Sequence, residues 1–303
     1  MTAASEAWYR QVLDVAAEGI WVTDADDHIA YANAKMGELL GVSSDELVGR
    51  SPFEFMDDEG LAIAAERLGR CRAGATGSVD FKFARADGSD VWASMSSALI
   101  TDDDGAYAGA VSVVSDATER KALEAQLRHL ADHDLLTDLL NRRGFEGELT
   151  RHVARNGRYG PDGALLLLDI DNFKHVNDTL GHGAGDQLII DIAHTLGRRL
   201  RGSDILARIG GDEFTVILPH ATAQEAERVA AALVDAVRHQ VTLLPGGHPV
   251  RATTSLGVAV VDSPGLTATD LLARADIALY TAKGDGRDRH SVFGPAAVTN
   301  DVG

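Results

Sequence analysis

Arg208-Ile209-Gly210-Gly211-Asp212-Glu213-Phe214 sets two glycines and two acids between runs of strand-forming residues. Ile205, Leu206 and Ile209 stand before the interruption, and Phe214, Val216, Ile217 and Leu218 after it. Apolar and β-branched residues on both sides of a Gly-rich break spell a β-hairpin, with Gly210 and Gly211 allowing positive φ or close approach of a ligand to the backbone. Adjacent carboxylates at a hairpin tip repel each other, and a bound cation relieves that cost. A solvated turn made of the same residue types reads equally well from this stretch alone.

Upstream, Ala164-Leu165-Leu166-Leu167-Leu168 is an apolar run too short for a membrane and suited to a buried strand. It stops at Asp169-Ile170-Asp171, and an acid ending a buried strand costs desolvation energy unless it is paired or bound to metal. A helix follows with Leu188, Ile189, Ile192 and Leu196 on its apolar face, and then the hairpin. A long helix over Ala223 to Arg238, a β segment over Pro249 to Val261, a helix over Thr269 to Lys283 and a short strand near His290 to Phe293 complete this half. Strands alternating with helices around an antiparallel hairpin predict a ferredoxin-like βαββαβ core with additions. In such a core the first strand and the hairpin are neighbours, so Asp169 and Glu213 converge and Asp212 suits a second ion. Carboxylates beside a phosphate-bearing substrate suit magnesium, and two ions about 3.5–4 Å apart are the usual device for in-line attack on phosphorus. Lys174, Lys283 and Arg287 supply positive charge for triphosphate oxygens, although basic residues near helix ends also complement the helix dipole.

The 303 residues favour two domains, each able to bury its own core. With 45% hydrophobic and 24% charged residues the chain reads as globular, and a formal net charge of -18 opposes non-specific binding to nucleic acid or anionic membrane. Cys71 is the sole cysteine, so no intrachain disulfide forms and a reducing compartment is expected. No apolar run reaches the ~20 residues of a membrane helix, and the start of the chain lacks a signal-peptide core. A cytoplasmic protein without membrane insertion is therefore expected.

The first half opens with a short helix around Glu6 to Ala17. A strand over Gly19 to Thr23 and its hairpin partner over Ile29 to Ala32 follow, then broken helical segments from Asn33 to about Ala73. Ser43-Ser44-Asp45-Glu46 reads as a helix cap. Strands over Val79 to Ala84, Val91 to Ile100 and Tyr107 to Ser115 form an antiparallel meander, with turns at Asp87-Gly88 and Asp102 to Gly105. This α+β order resembles a PAS sensor domain. The words that carry the resemblance are Gly19-Ile20 with Thr23-Asp24, Tyr31-Ala32-Asn33, Leu40-Gly41, Glu46-Leu47-Val48-Gly49, Arg85 to Gly88 and Asp116-Ala117-Thr118-Glu119-Arg120. The resemblance implies a domain that senses a small ligand or cofactor or serves only as a dimerising module, and it leaves that choice and any ligand open. Haem is disfavoured, because His28 beside a turn is the only histidine in this half. Cys71 is expected to be a packed or idle thiol, and Trp21 and Trp92 to be core residues.

Thr118-Glu119-Arg120-Lys121 then opens a helical run with Leu123, Leu127 and Leu130 at i, i+4 and i+7. So short a stripe pairs with a second copy as a parallel coiled coil or docks on its own domain.

In the second half, Asp169-Ile170-Asp171 with Phe173-Lys174 and Asn177-Asp178, Gly181-His182 with Gly185-Asp186, Gly210 to Phe214, Ser255 to Ala259, and Ala278-Leu279-Tyr280 with Ala282-Lys283 and Gly286-Arg287 occur in the order and spacing of a GGDEF domain. The resemblance implies a diguanylate cyclase, which joins two GTP into cyclic di-GMP with loss of pyrophosphate. It implies Asp169, Asp212 and Glu213 as catalytic residues. It also implies two Mg2+ per GTP site, with Mn2+ able to substitute, held by Asp169, Ile170, Asp212 and Glu213. Asn177 and Asp186 would read guanine, and Asn172, Phe173, Lys174, Gly210, Gly211, Lys283 and Arg287 would bind phosphates. His182 is expected to pack the hairpin or to serve as a structural residue. One such domain holds one GTP, so a homodimer is implied, with the N-terminal half and the helix setting the two half-sites face to face. Arg201-Gly202-Ser203-Asp204 matches the family's inhibitory product site and implies feedback by cyclic di-GMP, where an isolated Arg-x-x-Asp is otherwise a surface pair. The family often carries Gly and Pro where this chain has Asp138 and Leu140, in the turn that opens the domain. No phosphodiesterase domain is expected after it.

The expected fold is thus α+β throughout. A PAS domain over 1–116 has a five-stranded antiparallel sheet and short helices, a helical linker runs over 117–135, and a GGDEF domain occupies 136–303. The alternatives are a catalytically silent receptor for GTP or cyclic di-GMP, against which the retained acids count, and a cyclase making a mixed purine product, against which Asp186 counts.

Overall fold

A computed structural model of the chain describes residues 8, 11–72, 77–159, 162–244, 248–263 and 265–294. Of the helix expected over Glu6 to Ala17, Glu6, Ala7, Tyr9 and Arg10 lie outside them, as does the side chain of Cys71, while Gln11 to Asp14 are helical. Two compact units divide between Gln126 and Leu127.

The first unit is built on an antiparallel sheet of order β2-β1-β5-β4-β3. Its strands are β1 (Gly19–Thr23), β2 (Ile29–Ala32), β3 (Ser78–Ala84), β4 (Asp90–Thr101) and β5 (Tyr107–Asp116). Between β2 and β3 run α1 (Ala34–Leu40), α2 (Ser44–Leu47), a 3-10 turn at Pro52–Phe55, and α3 (Asp58–Arg72). The breaks have local causes. Gly41 ends α1 in the left-handed region at φ 73, and Ser43 and Glu46 form the capping box that starts α2. Trp21, Met36, Leu40, Leu47, Phe81 and Phe83 are buried as the core, with Trp21 edge-on to Phe83 at 5.7 Å. Trp92 departs from expectation, because it is half-buried on β4 under the ammonium of Lys121, 5.1 Å from the ring centre.

Helix α4 (Thr118–Asp132) leaves Leu123, Leu127 and Leu130 exposed. Its first turn is tied to β3, where Asp80 takes Arg120 at 3.0 Å and Lys121 at 2.7 Å. Burial pushes the Asp80 carboxyl up, but bonds from Lys121, Arg120 and Ser94 overcome that and hold it at about 2.

The second unit runs α5 (Arg142–Tyr159), β6 (Ala164–Ile170), α6 (Phe173–Leu180), α7 (His182–Gly197), β7 (Ile205–Arg208), β8 (Glu213–Leu218), α8 (Ala223–His239), β9 (Thr242–Leu243), β10 (Pro249–Val250), β11 (Thr254–Val260), α9 (Ala268–Gly284) and β12 (His290–Val292). The sheet order is β12-β11-β6-β8-β7. Its antiparallel part, β11-β6-β8-β7, is the ferredoxin-like arrangement, and β12 adds to the edge parallel to β11. β6 is buried on both faces. Leu166, Leu168 and Ile170 pack with Leu188, Ile192, Leu233 and Val237, while Leu165 and Leu167 pack with Phe145, Leu149, Leu271 and Leu279. That is why the strand reads as an unbroken apolar run. α9 lies directly on β11 at Gly257, where a Cβ would collide with the backbone of Ala275 and Leu279.

Two expectations are corrected. The β segment over Pro249 to Val261 is two strands. β10 pairs with β9, and the chain breaks before β11 because Thr253 is drawn to Asp171, accepting from its N–H at 2.9 Å and donating from Oγ1 at 2.6 Å. α5 was not foreseen, since among its described side chains Phe145 and Leu149 are the large apolar ones fully buried.

Candidate active site

The alternation of strand residues decides which side chains meet. Asp169 pairs with Glu213 across β6 and β8, so both carboxylates rise from one face of the sheet, the face that α5 and α9 cover. The last turn of α9 delivers Lys283, whose Nζ sits 2.8 Å from Asp169 Oδ2, and the start of α5 brings Arg142 Nη2 to 3.9 Å from Glu213 Oε2. Burial raises the Asp169 carboxyl above its ordinary value, the Lys283 contact opposes that rise, and Asp212 and Asp171 reinforce it. Asp212 is placed by its backbone, its carbonyl accepting from Ile170 N at 3.1 Å. Asp171 is buried and saturated by Thr253, Ser255 and the N–H of Asp288.

Of the two uses expected for the hairpin glycines, positive φ is not one the structure makes. Neither Gly210 nor Gly211 has positive φ. A Cβ on Gly210 would stand 2.7 Å from Glu213 Oε2, so that glycine makes room for the acid's own side chain, whereas one on Gly211 would meet nothing within 4 Å. The turn is braced by a residue that sequence reasoning passed over. Arg208 donates to Gly211 O through Nε at 3.2 Å and Nη2 at 2.9 Å, and to Asp134 Oδ1 through Nη1 at 2.8 Å. Asp134 in turn accepts from the N–H and hydroxyl of Thr137. Arg142, Arg143 and Arg208 line an open groove of about 490 Å3 along the two glycines. The Asn141-Arg142-Arg143 run, just after the turn that opens the domain, is the sequence signal for this groove. Within that turn Asp138 adopts φ 58, where glycine is at ease, and accepts from His129 Nε2 at 2.7 Å when that nitrogen carries the proton.

The remaining site residues lie on α6, α7 and the end of α9. Asn172 precedes α6 in the left-handed region at φ 57, Phe173 is buried, and Lys174 is exposed in the first turn. Asn177 Oδ1 is buried without a hydrogen-bond partner and packs against Gly185, the neighbour of exposed Asp186. Arg287 is exposed at φ 63 just beyond α9. His182, expected to pack the hairpin, is instead exposed as the first residue of α7. Arg201 and Asp204 form a closed turn away from the acidic pair in sequence, with Arg201 N donating to Asp204 Oδ2 at 2.8 Å.

Among the described residues no three His, Cys, Asp or Glu side chains gather into a metal cage. Two carboxylates and a strand-end carbonyl still fit magnesium, which takes one or two protein carboxylates and completes its shell with water and substrate phosphate.

Residues 131–289 match the family described as "Diguanylate cyclase, GGDEF domain", and residues 17–119 match "PAS domain". The chain is similar to the probable diguanylate cyclase DgcE of Escherichia coli K12, at 38% identity over 192 residues, which is 63% of this chain and 17% of that protein. It is also similar to an uncharacterized signaling protein of Caulobacter vibrioides, at 33% identity over 294 residues, 94% of this chain and 34% of the relative. The chain thus spans well under half the length of these curated relatives. Among solved structures, the coiled coil and GGDEF domain of DgcB from Caulobacter crescentus, in complex with c-di-GMP, superposes with a TM-score of 0.55 at 35% identity, covering 57% of this chain and 91% of that one. The GGDEF match takes in more than half of the residues, and the chain belongs to the GGDEF family, with a PAS domain ahead of its GGDEF domain.

Proposed function

We propose that this chain is a diguanylate cyclase that condenses two GTP into cyclic di-GMP and pyrophosphate. Its sensor would occupy 1–116, its linker 117–135 and its catalytic domain 136–303. The observation that carries the reading is the paired Asp169 and Glu213 on one sheet face, reached by a lysine from α9. Asp169, Glu213, Asp212 and the Ile170 carbonyl would hold two Mg2+, for which Mn2+ can substitute. When bound, the ions would acidify the 3'-hydroxyl and offset charge at the α-phosphate.

The chain's own groups do the positioning. After the left-handed turn at Asn172, the first N–H groups of α6, at Phe173 and Lys174, would bind the triphosphate, with the backbone at Gly210 and Gly211 and the side chains of Lys174, Lys283 and Arg287 around it. The orphaned Asn177 Oδ1 supports guanine recognition, because guanine offers N–H donors on the edge where adenine offers an acceptor. Asp186 is the second group on that edge. Each half-site supplies one GTP, so the reaction needs two chains facing each other, and the PAS domain and α4 would set that approach. The PAS unit encloses a mostly apolar cavity of about 70 Å3 bounded by Trp21, Met56, Met95, Ser97, Leu99 and Tyr107, which supports a small signal molecule. Product would bind at Arg201 and Asp204.

Incubation with GTP and magnesium, followed by chromatography, tests the reading. Cyclic di-GMP is expected; no dinucleotide under any condition sinks it, and an adenine-containing product from mixed ATP and GTP redirects it. Added cyclic di-GMP is expected to inhibit the wild type and to spare Arg201→Ala, so equal inhibition of both removes the product site.

A further inference from the structure

The two carboxylates on the shared face each meet a cation, on unequal terms. Asp169 and Lys283 are in contact at 2.8 Å with side chains 16% and 34% exposed, while Glu213 and Arg142 stand 3.9 Å apart with side chains 42% and 61% exposed. A pair as open as the second adds little, and the shielded first pair is the one that balances charge at the strand end. Asp169 also feels Asp212 and Asp171, so a single ammonium answers a crowd of acids.

A divalent ion ligated by Asp169 and an ammonium in contact with Oδ2 of the same carboxylate repel each other at such range, so each weakens the hold of the other. The lysine has the means to yield. Its backbone is pinned, since α9 is seated on β11 at Gly257, but its four-carbon stem is flexible and its head only partly covered. A triphosphate entering beside α6 offers that head a new set of anionic oxygens.

We propose that Lys283 is the resident counter-ion of the metal site, neutralising Asp169 before loading and passing to the nucleotide's phosphates as the divalent ion takes its place. The inference rests on the cyclase reading of this site and deepens it by assigning an order of assembly. Metal alone competes with the lysine and binds weakly. Metal and nucleotide together remove the competitor and gain a ligand, so each tightens the other by the same factor.

The test is Mn2+ titration at pH 8, reading the free aqua ion by electron paramagnetic resonance, without nucleotide and with the α,β-methylene analogue of GTP. Wild type is expected to bind Mn2+ weakly alone and more tightly with the analogue. Lys283→Met is expected to bind Mn2+ alone about tenfold more tightly than wild type, within the usual range of such couplings, and to gain less from the analogue. Lys283→Arg, which keeps the charge, is expected to bind Mn2+ alone as weakly as wild type. Lys283→Gln repeats the test with a polar side chain if the methionine loosens α9. Neutral variants with no gain in Mn2+ affinity, or an arginine variant that gains as much as they do, overturn the proposal. Turnover separates the two readings. Wild type making cyclic di-GMP while Lys283→Met gains no affinity removes the lysine's role alone, and a tightened variant of a chain that makes no dinucleotide leaves the counter-ion standing without the cyclase.

Discussion

Arg208 is 12% exposed and spends its whole fork on two partners, Asp134 and the carbonyl of Gly211. Arg208→Ala leaves the Gly211 carbonyl without its donor and Asp134 without its ion-pair partner, and is expected to cost about 2–3 kcal/mol in urea unfolding. Arg208→Lys keeps the charge but not the fork, and is expected to lower cyclic di-GMP formation about tenfold through a looser hairpin tip. Burial raises the Asp134 carboxyl, but bonds from Thr137 and the Arg208 ion pair outweigh it and hold it below the ordinary 3.8. The stabilisation is therefore complete above the unfolded value and lost as pH falls through the lower folded one. The stability gap between wild type and Asp134→Asn is expected to close as pH falls from the ordinary carboxylate value through the lower folded one. At the acidic pair, Glu213→Gln is expected to reduce product formation at least about 100-fold with an unchanged circular dichroism spectrum, and retention of activity would remove Glu213 from the chemistry. The acids were legible because strand alternation and motif order both pointed at them. Arg208 was not, since its contact spans 74 positions and an arginine beside a turn looks like surface charge.

At the scale of elements, strands and capped helices read well because their causes are local. β1 and β2 end where the sequence placed them, and Ser43 caps α2 with Glu46. α5 and the β10 to β11 break did not read, because one is a mostly polar helix and the other is created by Asp171, far away in the chain. The linker helix is held at its first turn by Asp80 and bare along Leu123, Leu127 and Leu130. One alanine inserted between Leu123 and Leu127 turns all later residues by about 100° and splits the stripe. Activity or its response to the PAS domain is expected to change, and indifference to insertions throughout Lys121 to Leu130 would remove the helix from signalling. Asp80→Ala frees the first turn, and is expected to weaken PAS control while leaving the thermal transition of the second unit in place.

For the molecule as a whole, a net charge of -18 means that two copies repel, and the proposed facing of half-sites would have to overcome that through the N-terminal half and α4. Specific activity is expected to fall on dilution in step with dimer dissociation, followed by light scattering on the same samples. A rate per chain that stays constant while the dimer dissociates would show that a single copy suffices. The division into two units was legible from length and motif order, whereas the proposed pairing of copies has no local signature beyond the leucine stripe.

β6 carries a last consequence. The strand that is buried on both faces, and so anchors the domain, is also the strand that ends in a half-buried acid whose carboxyl is raised by its surroundings. Foldability and chemistry therefore make opposite demands on one position. Asp169→Asn is expected to raise the melting temperature of the domain while abolishing turnover, the signature of a residue kept for what it does rather than for what it holds together. In a lineage released from the need to make product, this position would be among the first to drift toward a neutral side chain.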